Sequence, residues 1–164
     1  MACALLLSDV HPAPDLPRCS EGLKALLREL PGDCSAVYVL GDLFEVWVGD
    51  DLHTPYLDSI YESFRSVRAR GIELVFCHGN RDFLLERGPA GVPGFAELAG
   101  GRMMAESEVV DLFGTPALLM HGDQLCTLDT AYMAFRQQSR SSEWQQMMLT
   151  KPLDQRLMVA EMWR

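Results

Sequence analysis

The chain has 164 residues, 48% hydrophobic and 23% charged, which suffices for one buried core and excludes a disordered polypeptide. Fourteen Lys and Arg against 23 Asp and Glu leave a formal charge of −9, which argues against nucleic-acid binding through a basic surface. The charge is uneven: residues 1–123 carry 9 basic and 19 acidic side chains, a balance of −10, whereas residues 124–164 carry 5 and 4, a balance of +1.

The apolar start, Ala2 to Leu7, lacks a basic leader, is too short for a signal sequence and runs into Asp9 and His11, so it reads as a strand. Short apolar runs recur at Leu5 to Leu7, Ala36 to Leu40, Ile72 to Cys77 and Ala117 to Met120, continuous as in strands buried on both faces. Between them, Ser20 and Glu21 open a helical pattern that stops at Pro31-Gly32. Thr54-Pro55 opens another, with an apolar face of Leu57, Ile60, Tyr61, Phe64 and Val67, ending before Gly71. Strand and helix in alternation predict an α/β fold with a parallel sheet. Gly88 to Gly101 is loop-rich, Val109 to Met120 predicts a hairpin turning at Phe113-Gly114, and residues 129–164 read as helices rich in Met and aromatics, through Trp163.

Cys3, Cys19, Cys34, Cys77 and Cys126 form no C-x-x-C pair and read as reduced, mostly buried thiols. No apolar run approaches the ~20 residues of a membrane-spanning helix. The expectation is a cytoplasmic protein whose membrane contact is peripheral.

Each strand runs into polar residues able to bind metal: Ser8-Asp9-Val10-His11, Gly41-Asp42, His78-Gly79-Asn80-Arg81-Asp82 and His121-Gly122-Asp123. Ligand sites of open α/β sheets lie beyond the carboxyl ends of the strands, so these loops are expected to converge. Mixed oxygen and imidazole donors suit Mn²⁺, Fe²⁺ or Zn²⁺. Asp42 is placed to bridge two ions, with Gly41 allowing close backbone approach. Taken singly, each Asp or Asn is more readily a helix cap or turn former; the set taken together argues against that. His53 reads as a surface or capping residue, His78 as a loop brace, Asp50 and Asp51 as complements to a helix dipole, and Asp82 and Asp123 as supports behind the ligands.

The order D-x-H, G-D, G-N and a later H-G, from Ser8 to Asp123, resembles the calcineurin-like metallophosphoesterases. Arg81 in HGNRDF and the segment GDLFEVWVGDD narrow the likeness to the UDP-2,3-diacylglucosamine diphosphatases of Gram-negative lipid A biosynthesis. The resemblance implies a metallophosphoesterase-like β-sheet core flanked by helices, four-layer αββα in the family, over residues 1–126. Residues 127–164 would begin a helical substrate cap. It implies two Mn²⁺ ions, with Asp9 and His11 on the first, Asp42 bridging, and Asn80 and His121 on the second. Arg81 and Asn80 would contact the pyrophosphate of a lipid-linked UDP-sugar, and Asp129 would contact substrate. The implied products are UMP and 2,3-diacylglucosamine 1-phosphate, released at the cytoplasmic face of the inner membrane.

Tyr132 and Phe135 would line the acyl-chain pocket, or simply pack an amphipathic helix. Arg136, Arg140, Lys151, Arg156 and Arg164 would face anionic headgroups, or form a solvated helix face. Pro12 and Pro14 depart from the family's pattern after the first ligands. The family closes its site with a Gly-His-x-His motif beyond the cap, which the sequence to Arg164 does not include, so a histidine is expected to be missing from each metal and the second sheet to be incomplete. Two other readings stay open: a dimetal phosphoesterase with another substrate, and a phosphate-binding module or inactive remnant without turnover.

Overall fold

The computed structural model describes residues 2–162, so Trp163 and Arg164 lie outside the described residues. Four strands, β1 (Cys3–Leu7), β2 (Cys34–Leu40), β3 (Glu73–Cys77) and β4 (Arg102–Met103), form one parallel sheet in the order β1-β2-β3-β4. Helices α1 (Pro17–Arg28) and α2 (Pro55–Ala69) make the crossovers, and α3 (Phe95–Ala99) precedes β4. Strands β5 (Ser107–Leu112) and β6 (Thr115–Met120) form an antiparallel hairpin that makes up a second sheet. Helices α4 (Thr130–Ser139), α5 (Ser142–Leu149) and α6 (Leu153–Glu161) follow.

Alternation along the strands builds the layers, because successive side chains leave opposite faces of a sheet. Val37, Val39, Leu74 and Phe76 pack with the helices, in a core centred on Leu27, Ile60, Phe64 and Phe95. Ala36, Tyr38, Val75 and Cys77 point the other way, against Leu119, Val110 and Ala117 of the hairpin. Helices, parallel sheet and hairpin thus stack in order, and Phe95 sits edge-on to Phe44, Trp47, Phe64 and Phe76.

Helix α2 starts where Thr54 and Pro55 predict: the Thr54 hydroxyl accepts from the Leu57 amide, and all five predicted apolar residues are buried. Helix α1 begins three residues ahead of Ser20 because Pro17 opens it, while the buried Ser20 hydroxyl bonds Tyr56 and the carbonyls of Ala13 and Leu16. The segment expected to be loop contains α3 and leads into β4, both too short to leave a periodic signal. Burial on both faces holds for β2 and β3 only. Strand β1 is a sheet edge with Leu6 41% exposed, and the hairpin leaves Val109 67% and Leu118 57% exposed. The thiols also differ from expectation: Cys34 and Cys77 are buried, Cys3 is half-buried, and Cys19 and Cys126 are exposed.

Candidate metal centre

The ligand-bearing loops converge at the carboxyl ends of β1, β2, β3 and β6. The Asp9 amide donates to the Gly41 carbonyl and the Val10 amide to the Asp42 carbonyl, which ties the first two loops together. The third is pressed against them without space for a side chain: a Cβ on Gly41 would stand 2.6 Å from Gly79 Cα and 2.7 Å from His121 Nδ1, and one on Gly79 would overlap the Asp42 carboxylate. Asp9, His11 and Asp42 all hold left-handed backbone, with φ of 53°, 46° and 49°. Such strain in non-glycine residues persists only where the surroundings impose it, and it gathers at functional sites.

Asp9, Asp42 and His121 offer ligand atoms that all lie within 4.8 Å of one another. The Asn80 Oδ1 stands 3.0 Å from His121 Nε2, and Asp42 Oδ1 stands 3.8 Å from that same nitrogen. The other ring nitrogen, Nδ1, is 2.8 Å from the Leu40 carbonyl, an acceptor only, so the Nδ1 proton is fixed there. Nε2 then faces the Asn80 and Asp42 oxygens. The donor set of carboxylate, amide oxygen and imidazole suits a divalent transition metal.

Asp42 is buried, and desolvation pushes its carboxyl above the usual range. The amide of Arg81, donating to Oδ1 at 2.8 Å, partly offsets this. Asp82 supports the centre from behind, as expected. Its fully buried carboxylate accepts from the amides of Asp42, Leu43, Phe44 and Gly79, and burial lifts its pKa to about 6. His78 braces the loop as predicted, with Nε2 2.7 Å from the Leu85 carbonyl, and burial lowers its pKa. His53 is exposed, while Thr54 does the capping.

His11 and Arg81 are held outside the mutual reach of that cluster, and one residue that sequence reasoning missed joins them. The Glu45 carboxylate lies 3.0 Å from His11 Nδ1 and 3.7 Å from the Arg81 guanidinium. Its only signal was its place three residues after Asp42. Asp129 caps α4, accepting from the Tyr132 amide, and does not line the neighbouring cavity. That cavity, of about 380 Å³, opens between the loops and the C-terminal helices. Asn80, Arg81 and Glu45 form its polar side, and Trp47, Phe83, Phe135 and Trp144 are among its apolar walls.

Of the basic residues in the last helices, Arg136, Arg140 and Arg156 are turned inward and paired. Arg156 is buried and paired in a fork with Asp51, which explains why that carboxyl is held below its usual range. Arg136 donates to Asp123 at 2.8 Å and to Glu106 at 3.0 Å, and Arg140 donates to the Gly79 carbonyl. Lys151 is half-buried. Asp50 does not serve the helix dipole either: it is buried and accepts from the Trp47 indole at 2.9 Å, and desolvation lifts its pKa to about 7.

The parallel sheet, the second small sheet and the ligand cluster define an α/β protein of metallophosphoesterase-like fold with a site able to hold metal. No protein-family profile matches the chain. It is, however, 42% identical over 156 residues to the UDP-2,3-diacylglucosamine hydrolase of Cellvibrio japonicus, covering 95% of this chain and 62% of that protein. The hydrolases of the same name from Xanthomonas campestris pv. campestris strain B100 and Marinobacter nauticus are 44% and 39% identical, covering 96% and 98% of this chain and 61% and 63% of theirs. The chain is thus homologous to UDP-2,3-diacylglucosamine hydrolases along nearly its whole length, and spans about three fifths of theirs.

Proposed function

We propose that the chain carries the catalytic metal centre of a UDP-2,3-diacylglucosamine hydrolase, cleaving the pyrophosphate to UMP and 2,3-diacylglucosamine 1-phosphate in lipid A biosynthesis. One observation carries the reading: Asp9, Asp42 and His121 bring ligand atoms within 4.8 Å of one another beside an apolar cavity whose polar end is Asn80 and Arg81.

In this reading Asp9 and His11 would hold one Mn²⁺, Asp42 would be shared, and Asn80 and His121 would hold the second. Two such ions would supply Lewis-acid activation of water and of phosphoryl oxygens. The residues do the remainder. The Glu45 carboxylate, 3.0 Å from His11 Nδ1, would favour Nε2 as the ligand nitrogen. The Leu40 carbonyl does the same for His121. Arg81 presents a permanently charged planar fork to the pyrophosphate, suited to neutralising two linked phosphates. Phe83, Phe135 and Trp144, with Met148 beside them, shelter acyl chains and keep water from the apolar half of the site. Asp129, at the head of α4, is the candidate for a contact to the sugar. Residues 127–164 act as the start of the substrate cap on a core of residues 1–126, and the enzyme works at the cytoplasmic face of the inner membrane. Among the described residues no helix is long and apolar enough to cross a membrane.

The test is to compare Mn²⁺-dependent UMP release from UDP-2,3-diacylglucosamine with cleavage of a generic aryl phosphate. Preference for the lipid-linked substrate supports the proposal. Preference for the aryl ester points to another dimetal phosphoesterase, and binding without turnover of either points to a phosphate-binding module.

A further inference from the structure

The loops that carry Asn80 and His121 are joined by one side chain from outside them. Arg140, at the end of α4, donates from Nη2 to the Gly79 carbonyl at 2.8 Å. The same nitrogen lies 3.5 Å from Asp123 Oδ2, and Nε lies 3.9 Å from Glu106. Its guanidinium carbon stands 5.2 Å over the Phe83 ring. The planar head therefore touches the loop after β3 at Gly79 and Phe83, on either side of Asn80 and Arg81, and the turn after β6 two residues past His121. Asp123 is itself fixed by the Tyr132 hydroxyl and by Arg136, both also on α4.

We infer that Arg140 is a positioning residue, which sets the Gly79–Asn80 peptide and the His121–Asp123 turn in the register that lets Asn80 and His121 share one ion. This rests on the proposed metal-centre reading. Gly79 has no freedom to compensate, since its α-carbon is packed against Asp42 and its amide is bonded to Asp82. Releasing its carbonyl frees the peptide that aims Asn80. Helix α4 also supplies Tyr132 and Phe135 to the cavity wall, so Arg140 links that wall to the ligand loops. Lysine keeps the charge on a single donor nitrogen but cannot bond a carbonyl, face a carboxylate and cover a ring from one plane.

The experiment is calorimetric titration of the chain with MnCl₂ alone, for the wild type, Arg140→Met and Arg140→Lys, each with its melting temperature in EDTA. Outer-sphere positioning groups typically contribute about 10 to 100-fold in metal affinity. The expected result is at least a tenfold weaker Mn²⁺ affinity in R140M and an intermediate loss in R140K, both larger than any change in melting temperature accounts for. Unchanged affinity in a folded R140M overturns the inference while leaving the metal centre standing. If R140M does not fold, R140K decides: wild-type affinity overturns the inference, and several-fold weakening supports it. Absence of Mn²⁺ binding in the wild type overturns the metal-centre reading on which the inference rests.

Discussion

Asp42 carries two opposed demands. Its carboxylate lies buried beside Asp9, where desolvation and that second negative charge both favour the protonated form, yet a metal needs the ionised one. Asp42→Asn keeps an oxygen for the Arg81 amide and removes the charge. It is expected to stabilise the metal-free protein by about 1 kcal/mol in EDTA melts and to abolish Mn²⁺ binding, the trade seen where function holds a destabilising group in place. Gly79→Ala does the reverse of relief, forcing a methyl into the Asp42 carboxylate, and is expected to destabilise by about 3 kcal/mol in urea unfolding with loss of metal binding. Asp50 sets a pH dependence away from the ligands. Its folded pKa of about 7 lies above the unfolded value, so the folded state holds the extra proton; stability is full below the unfolded pKa, falls as pH rises toward 7, and is level above. Urea midpoints at pH 5 and pH 8 are expected to differ less in Asp50→Asn, whose amide oxygen still accepts from Trp47.

Among the elements, α6 is held less by apolar area than by one arginine. Leu157 and Met158 are 38% and 64% exposed, while Arg156 is buried, forked onto Asp51 and donating to the Val48 carbonyl. Arg156→Met is expected to cost about 3 kcal/mol, because a carboxylate and a carbonyl lose their donor together, and to raise protease sensitivity at α6 first. The sequence states Arg156 as one more cation on an amphipathic helix; its partner lies 105 residues away, and no local pattern marks such a pairing. By contrast α2 was legible to its first residue, since Thr54, Pro55 and the spacing of Leu57, Ile60, Tyr61, Phe64 and Val67 are all local signals. Strands β2 and β3 were legible for the same reason, and α3 and β4 were not, being held by the layers around them rather than by periodicity.

At the scale of the whole molecule, the loops ending the strands were expected to meet, and four of them do. Parallel strands deliver Asp9, Asp42 and Asn80 to one side, and the hairpin packed on the sheet brings His121 to them from the end of β6. What topology does not reveal is the polar scaffolding between the metal loops and the last helices, built from Glu45, Asp123, Arg136 and Arg140, whose partners lie far apart in sequence. The acidic first part and near-neutral last part are therefore complementary: Asp51 and Asp123 of the one are bound by Arg156, Arg136 and Arg140 of the other. The central claim is that Asp42 bridges two ions. Anomalous diffraction from crystals of the chain soaked in MnCl₂ measures it directly. The account predicts two peaks about 3.5 to 4 Å apart, one on each side of the Asp42 carboxylate. A single peak, or peaks away from Asp42, would contradict it.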